Sequence, residues 1–363
     1  MKLLNIELEN FRNCVCEKIE FNDGVNLLYG KNAEGKTNVL EAIYFFARGK
    51  SFRGGKDSDI VRFLEKGYSM KIEYESGSDI KCQEYRFYEG SRQRLLNGVK
   101  ISAKEALGKF NAVLFCPDHL SIIKNAPSER REFLNIALSQ LYYEYVNLLS
   151  EHKKLTENKN ALLKSESGYD TSLMKAYNGK LSEINAKIHI YRAEYVEKLS
   201  ESVNRTVKDI SSGKEDVKIF YKNQISADFT RFCEIQSEYE KLFTENEGRE
   251  RAAGMCLYGI QRDDLVFEIN GKDARTFASQ GQQRSVALAL KIGEGEILAE
   301  EKGENPIYLL DDVLGEFDED RKKYVLSRSL GKQMIVTACE KGDYINLDDV
   351  RMIEVKEGRY NER

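Results

Sequence analysis

The sequence predicts an α/β fold whose sheet is assembled from both ends of the chain and interrupted by a long helical insertion. Continuous apolar runs occur near the start, at Val25–Tyr29, and near the end, at residues 307–310 and Met334–Ala338. Such runs are typical of strands that are covered on both faces. Between Ser128 and Asn305 there is no proline, so nothing in that stretch forbids long helices.

The composition is that of a globular protein without an overall basic charge. The net charge is −4, so any nucleic-acid-binding surface must be local. The seven cysteines are odd in number, and the C-x-C pair at Cys14 and Cys16 has no second pair at zinc-like spacing, which favours reduced thiols. No run reaches the roughly 18 apolar residues of a membrane helix, and the N-terminus does not resemble a signal peptide. We therefore expect a cytoplasmic protein with no membrane association.

The N-terminal third of the chain is predicted to form strands and one helix. Leu4, Ile6 and Leu8 alternate with polar residues, and an amphipathic helix pattern follows Thr37. Alternation returns over residues 68–99, where Asn97-Gly98 is a hairpin signal, so this stretch is predicted to be antiparallel.

Helical stripes mark the insertion as a hairpin of long helices. The first stripe consists of Leu141, Tyr145, Leu148, His152 and Leu155, and the second of Leu181, Ile184, Ile188, Tyr191, Tyr195, Leu199, Val203 and Val207. A turn-prone break over residues 165–170 separates them. We interpret the stripes as core packing, which places an arm but gives it no chemistry. Strand alternation then resumes over residues 265–269. The predicted division is residues 1–116 and 251–363 for the sheet lobe and residues 117–250 for the helical lobe.

The strongest chemical motif is GKNAEGKT at residues 30–37, a G-x-x-x-x-G-K-T loop between a strand and a helix. Its glycines let successive N–H groups point at phosphate oxygens, and the following helix adds the positive end of its dipole. The lysine is expected to reach the β- and γ-phosphates of ATP, and the threonine to ligate Mg²⁺. The predicted nucleotide-binding residues of this loop are Gly30, Lys31, Asn32, Ala33, Glu34, Gly35, Lys36 and Thr37.

A second motif, IYLLDD, ends at Asp311 and Asp312 and has the Walker B arrangement of a buried strand followed by carboxylates. Asp311 is expected to hold Mg²⁺, and Asp312 to accept a proton from the attacking water or to orient it. Together with Lys36, these are the predicted catalytic residues. The alternative is a pair of helix-capping aspartates after a core strand.

A third motif, SQGQQRS at residues 279–285, precedes a long apolar helix. A Ser-x-Gly-Gln turn at a helix N-terminus is the signature motif of ABC-type ATPases, and Ser279, Gly281 and Gln282 are predicted to contact a γ-phosphate held by the other subunit of a dimer. The alternative is an ordinary glycine-containing helix cap. Residues 315–318, just beyond the second motif, stand where such enzymes have a dimer-contacting D-loop.

These motifs, with several other segments, resemble the RecF family over the whole chain. The family comprises ABC-type repair ATPases related to the heads of SMC and Rad50 proteins, and the resemblance implies a P-loop ATPase head with a short helical second lobe. The segments are NFRN at 10–13, GKSFR at 49–53, FCPDHL at 115–120, APSERREFLN at 126–135, QRDDL at 261–265, SQGQQR at 279–284 and LLDDVLGEFD at 309–318.

The resemblance implies a protein that binds DNA in an ATP-dependent way, forms a homodimer on ATP and acts in gap repair and replication-fork maintenance. It also implies weak, DNA-stimulated hydrolysis and cooperation with RecR and RecO in loading RecA. The sequence departs from the broader ABC pattern at a few positions. Asp312 replaces the usual glutamate, Thr337 stands where a γ-phosphate-sensing histidine is expected, Cys116 shows no Q-loop glutamine, and Ile260-Gln261 replaces the family's Pro-His.

Two further questions stay open at the level of sequence. Short basic clusters offer phosphate contacts, although each residue can equally be a solvated charge, and Arg130 and Arg131 can also be structural. The candidates are Lys50, Arg53, Lys56, Arg62, Arg130 and Arg131. The alternative functions are a transporter nucleotide-binding subunit, which shares the ATPase motifs, and an ATP-binding scaffold that does not hydrolyse.

Overall fold

A computed structural model describes residues 1–165, 170–225, 231–328, 331–341 and 350–362. The chain divides into two compact units. The sheet unit comprises Met1–Ile123, Ser202–Asp216 and Ala278–Arg363, and the helical unit comprises Lys124–Glu201 and Val217–Phe277. The lobe boundaries that the sequence suggested, at residues 117 and 250, stay a prediction.

The sheet unit begins with runs of consecutive strands, and the helical unit begins with consecutive helices. The strands are β1 (Lys2–Glu9), β2 (Cys16–Glu20), β3 (Val25–Tyr29), β4 (Gly67–Ser76), β5 (Asp79–Tyr88), β6 (Ser91–Leu96), β7 (Val99–Lys100), β8 (Ala112–Phe115), β9 (Val217–Lys222), β10 (Asp264–Ile269), β11 (Lys272–Asp273), β12 (Ile307–Asp311), β13 (Met334–Ala338), β14 (Arg351–Lys356) and β15 (Arg359–Glu362). The helices are α1 (Lys36–Arg48), α2 (Ala103–Ala106), α3 (Pro127–Leu141), α4 (Tyr143–Leu163), α5 (Thr171–Ile210), α6 (Phe232–Ala253), α7 (Ala274–Phe277), α8 (Gln280–Lys302) and α9 (Glu319–Ser327).

The central sheet of the sheet unit is parallel. Among the described residues its order is β15-β14-β3-β13-β12-β8, and only the β14–β15 pair is antiparallel. The three apolar runs of the sequence form β3, β12 and β13, which confirms that both ends of the chain build this sheet. Because β13 lies between β3 and β12, the loops that follow all three strands meet at one edge, where α/β sheets bind ligands.

A second sheet, antiparallel, has the order β2-β1-β4-β5-β6-β7. Asn97 and Gly98 adopt the positive φ angles, 50° and 79°, of the predicted hairpin turn between β6 and β7. The strand around Leu4 is confirmed, but its simple alternation is wrong. A bulge between Leu3 and Asn5 shifts the register, so Leu3 enters the core and Leu4 stays partly exposed.

The helical unit contains α3, α4, α6 and most of α5. The second stripe lies on one helix, α5, and its side chains are buried except for the half-buried Tyr191. The first stripe does not lie on a single helix, because Tyr142 adopts an extended conformation (φ −127°, ψ 114°) between α3 and α4. The predicted break over residues 165–170 falls largely on residues 166–169, outside the described residues.

A small antiparallel sheet of order β11-β10-β9 completes the helical unit. The alternation over residues 265–269 predicted β10, whereas β9 was missed. Within the described part of the chain, no helix is both long and apolar enough to cross a membrane. The seven cysteines are all unpaired by disulfides, as their number and spacing suggested.

Candidate nucleotide site

The loop at residues 30–37 has the backbone that a phosphate cradle needs. It leaves β3 at Gly30 and enters α1 at Lys36. A Cβ atom on Gly30 would lie 2.3 Å from the carbonyl oxygen of Val355, so no side chain fits there. Gly35 has a φ of 117°, a conformation that side chains disfavour. Steric exclusion therefore explains the glycine at position 30, and backbone conformation explains the glycine at position 35.

Lys36 folds back into this loop. Its Nζ donates to the carbonyl oxygens of Gly30 at 2.6 Å and of Lys31 at 2.9 Å, and the side chain is buried. Lys31, Asn32 and Ala33 are exposed at the tip of the loop. The ammonium is thus held against the loop backbone, within reach of an anion that the loop N–H groups would bind.

The loop and the end of β12 meet through Asp311. Thr37 Oγ1 donates to Asp311 Oδ1 at 2.8 Å, and Thr337 Oγ1 donates to the same oxygen at 2.9 Å. Burial raises the pKa of this carboxyl, while the two hydroxyl hydrogen bonds and the nearby positive charge of Arg53 oppose the rise. Thr37 and Asp311 therefore present two hard oxygen atoms side by side, the donor type that Mg²⁺ prefers.

Thr337 joins both aspartates. Its hydroxyl donates to Asp311 and accepts a hydrogen bond from the backbone N–H of Asp312 at 2.8 Å. The residue is 1% exposed, so its single hydroxyl proton is already used inside the protein. In this structure the Thr337 hydroxyl therefore has no proton left to donate to a γ-phosphate. Asp312 itself has a left-handed φ of 51°, and its carboxylate is exposed at the end of β12.

The predicted signature residues begin α8. Ser279 is the N-cap: its Oγ accepts from the backbone N–H of Gln282 at 3.2 Å, and Gln282 Oε1 accepts from the N–H of Ser279 at 2.9 Å. This reciprocal capping box is the alternative that the sequence left open. The cap uses the Ser279 hydroxyl only as an acceptor. Because Ser279 is exposed, its hydroxyl can still donate a hydrogen bond to a ligand. Among the described contacts, Ser279, Gly281 and Gln282 form no hydrogen bond to the loop at 30–37.

Two arginines fasten the segment after β12 to α8. Arg284 donates to the carbonyl oxygen of Glu316 at 2.7 Å and to its carboxylate at 2.9 Å. Arg321 donates to the hydroxyl of Ser285 at 2.8 Å and pairs with Asp318. The predicted D-loop is therefore hydrogen-bonded to the helix that carries the predicted signature motif.

Glu41 is the functional-site residue that the sequence reasoning missed. Its carboxylate is fully buried and accepts hydrogen bonds from the guanidinium of Arg12 at 2.6 and 3.0 Å, from Ser51 and from Arg53 at 3.3 Å. The NFRN and GKSFR segments thus meet on one acid of α1. A lone glutamate on the apolar face of that helix was the signal, since a buried carboxylate requires partners.

The β14–β15 hairpin also contacts the loop. Gly358 donates its N–H to the carbonyl oxygen of Glu34 at 2.9 Å, and the hydroxyl of Tyr360 donates to that of Gly35 at 3.1 Å. Asn13 reaches the same Glu34 oxygen at 3.0 Å. These bonds fix the backbone of the loop at Glu34 and Gly35, a contribution that no motif in the sequence indicated.

The candidate DNA contacts separate by burial. Arg130 is 2% exposed and pairs with Asp264 through two hydrogen bonds of 2.7 and 2.9 Å, so it is structural and not a phosphate contact. Arg53 binds Glu41 and lies beside the nucleotide loop. The other four, partly or largely exposed, are Lys50, Lys56, Arg62 and Arg131.

The chain is similar to known proteins along almost its whole length. Residues 2–361 match the family model described as the RecF/RecN/SMC N-terminal domain. A DNA replication and repair protein RecF of Clostridium novyi is 36% identical over 371 residues, covering 100% of both chains. That of Caldanaerobacter subterraneus subsp. tengcongensis is 39% identical, covering 94% of this chain and 95% of its own. The chain belongs to the RecF family.

Solved structures agree with this membership. A structure of the recombination mediator protein RecF with ATP, in the RecFOR pathway, has a TM-score of 0.94 and 36% identity, covering 100% of this chain and 97% of its own. An SMC head bound to the C-terminal winged-helix domain of ScpA has a TM-score of 0.59 at 16% identity, covering 100% of this chain and 97% of its own. The second likeness shows that this chain and that SMC head share a fold.

Proposed function

We propose that this chain binds ATP on the loop at residues 30–37 and acts as an ABC-type ATPase. The observation that carries the proposal is the 2.8 Å hydrogen bond between Thr37 and Asp311, which brings a phosphate loop and a Walker B carboxylate into one site. Lys36, held inside the loop, supplies the cation for the β- and γ-phosphates. The ATP-bound RecF structure described above supports the same ligand.

Mg²⁺ fits the site as the companion of the nucleotide. Thr37 Oγ1 and Asp311 Oδ1 would hold it, directly or through water, and the ion would neutralise charge on the phosphates. The exposed carboxylate of Asp312 is placed to accept a proton from water or to orient it. Its short side chain, compared with a glutamate, is consistent with slow hydrolysis.

The second half of the proposal is a dimer that forms on ATP. Ser279 is exposed at the start of α8, and Gly281 and Gln282 are half-buried there. Among the described residues, none of the three makes a hydrogen bond to the loop of its own chain. The serine hydroxyl and the helix N-terminus would bind the γ-phosphate held by the other copy. Arg284 and Arg321 would carry the D-loop into the same interface.

The biological role proposed is that of a DNA-binding protein in gap repair and fork maintenance, which helps RecR and RecO load RecA. Family membership supports this role and leaves the transporter alternative without support. The non-hydrolysing scaffold is kept as a second candidate because of one observation: the hydroxyl of Thr337 is committed to the two aspartates and cannot report on a γ-phosphate.

The test is the molecular mass in solution, by light scattering, without nucleotide, with ADP, and with a non-hydrolysable ATP analogue plus Mg²⁺. A monomer that becomes a dimer only with the ATP analogue is the expected result. No shift, with or without duplex DNA, would contradict the composite site.

Two variants separate nucleotide binding from dimerisation. Lys36→Arg retains the charge but loses the compact ammonium, so ATP-dependent dimerisation and DNA binding should both be lost while the fold survives. Ser279→Arg should bind the analogue normally, because the exposed serine does not contact its own loop, and should remain monomeric. Asp312→Asn should prolong the ATP-bound dimer if hydrolysis releases it; an unchanged dimer lifetime would favour the scaffold.

A further inference from the structure

Two ion pairs of the helical unit hold the chain at the point where β10 begins. Arg192 donates to the carboxylate of Asp263 at 2.6 Å, and Arg130 donates to Asp264 through the two hydrogen bonds already described. Both guanidinium groups are almost completely buried. A buried charge must be matched by its partner, so these two arginines and two aspartates balance one another.

Two further arginines near these ion pairs have no carboxylate partner among the described residues. Arg131 donates from Nη1 to the backbone oxygen of Asp263 at 2.9 Å, and Arg262 donates from Nε to the backbone oxygen of Leu257 at 3.3 Å. Within the described ranges, no carboxylate forms an ion pair with either. Arg262 is exposed and Arg131 is half-buried. The two ion pairs therefore use both carboxylates, and the charges of Arg131 and Arg262 are left without an ion-pair partner in the described part of the chain.

The environment of Arg131 agrees with this unbalanced charge. Burial, followed by the positive charge of Arg192, lowers the pKa of Arg131. The carboxylates of Asp264 and Asp263 oppose this fall, and Arg262 adds a smaller lowering effect. The hydrogen bond to the backbone of Asp263 ties Arg131 to the residue that follows Arg262 in the chain, and the charge of Arg262 acts on Arg131. An anion between them would relieve the repulsion.

We propose that Arg131 and Arg262 form a phosphate-binding pair for the backbone of duplex DNA. This rests on the proposed DNA-binding function and assigns part of it to the helical unit. Guanidinium groups suit phosphate because their planar N–H donors match two oxygens at once. Each side chain is anchored by one backbone hydrogen bond and keeps its other donors for a ligand. Contacts of this kind give affinity and register without reading the base sequence.

The test uses Arg131→Gln, Arg262→Gln and the double variant in the full-length protein. Arg231→Gln is the matched control, an arginine of the same unit that is 82% exposed and only 3.8 Å from Glu234 in a surface pair. Affinity for duplex DNA is measured by fluorescence anisotropy with the ATP analogue and Mg²⁺, at several salt concentrations and for two unrelated sequences. Circular dichroism melting checks that each variant is folded.

The variants are compared by the slope of log DNA affinity against log salt concentration. Each phosphate contact contributes about 0.9 to that slope, so each single variant should lower its magnitude by about 1 and the double variant by about 2, equally for both sequences. Arg262→Lys should restore most of the slope, because it restores the charge, but not all of the affinity. The control should match the unmodified protein.

The possible failures are distinguishable. If the unmodified protein shows no ATP-dependent DNA binding, the proposed function fails and the pair fails with it. If the unmodified protein binds with a steep slope that the double variant retains, only the phosphate pair is refuted. Retained DNA binding with lost binding to RecR would assign the pair to an acidic protein surface and would overturn the proposal.

Discussion

Replacing Thr337 by valine should uncouple the two aspartates at the end of β12. Valine has nearly the same shape but neither donates to Asp311 nor accepts from the N–H of Asp312, two bonds of 2.9 and 2.8 Å. A hydrogen bond to a charged group contributes about 1.5–3 kcal/mol, and the partly buried amide about 1 kcal/mol more. We expect the free energy of unfolding of the sheet unit to fall by about 3 kcal/mol.

Hydrogen exchange followed by mass spectrometry is the suitable assay, since the chain contains no tryptophan. Peptides that cover β12 and the following turn, including the Asp312 amide, should exchange faster in Thr337→Val. Thr337→Ser is the control: it retains both hydrogen bonds and loses only a buried methyl group, about 1 kcal/mol. In an ATPase assay, kcat should fall for the valine variant and recover for the serine variant. Equal protection and equal kcat in the two variants would refute the reasoning.

Three other changes test separate features. Gly30→Ala should abolish binding of the ATP analogue, because the added Cβ would lie 2.3 Å from the backbone oxygen of Val355; calorimetry measures this. Glu41→Gln should destabilise the protein by about 1.5–3 kcal/mol in urea unfolding, since the partly exposed guanidinium groups of Arg12 and Arg53 lose the buried carboxylate with which they pair. Burial lowers the pKa of His152 and of His189 to about 4. Both stay neutral in the folded state, so stability is complete above pH 6.5 and falls as the pH drops towards 4, by about 3 kcal/mol for each histidine.

Each of these has its own control. Gly248→Ala, where a Cβ would meet nothing within 4 Å, should leave nucleotide binding intact and slightly stabilise α6. For the glutamate, a stability within 1 kcal/mol of the unmodified protein would contradict a buried ion-pair network. For the histidines, His189→Phe should reduce the loss of stability between pH 6.5 and 4 by about 3 kcal/mol, because His152 still titrates; an equally steep profile would show that other groups cause the loss.

Local patterns predicted much of the fold because their physical causes are local. Buried strands such as Val25–Tyr29 need continuous apolar runs, and the turn at Asn97 and Gly98 needs residues that tolerate a positive φ. The sequence patterns gave the wrong prediction where contacts with packed neighbours determine the local structure. The bulge after Leu3 reverses which leucine is buried, and Tyr142 breaks a stripe that looked continuous. Both depend on what the chain packs against.

By itself, the sequence determined the nucleotide motifs, their order and the two-ended sheet, because glycine conformation, apolar periodicity and the chemistry of lysine, threonine and aspartate are properties of the residues themselves. The tertiary structure alone decided which side chains share partners. It placed Thr337 between Asp311 and Asp312, gave Glu41 its cations, and buried Arg130 while leaving Arg131 at the surface. Burial and pairing arise from contacts between residues far apart in the chain, and those distances are set only when the strands and helices pack.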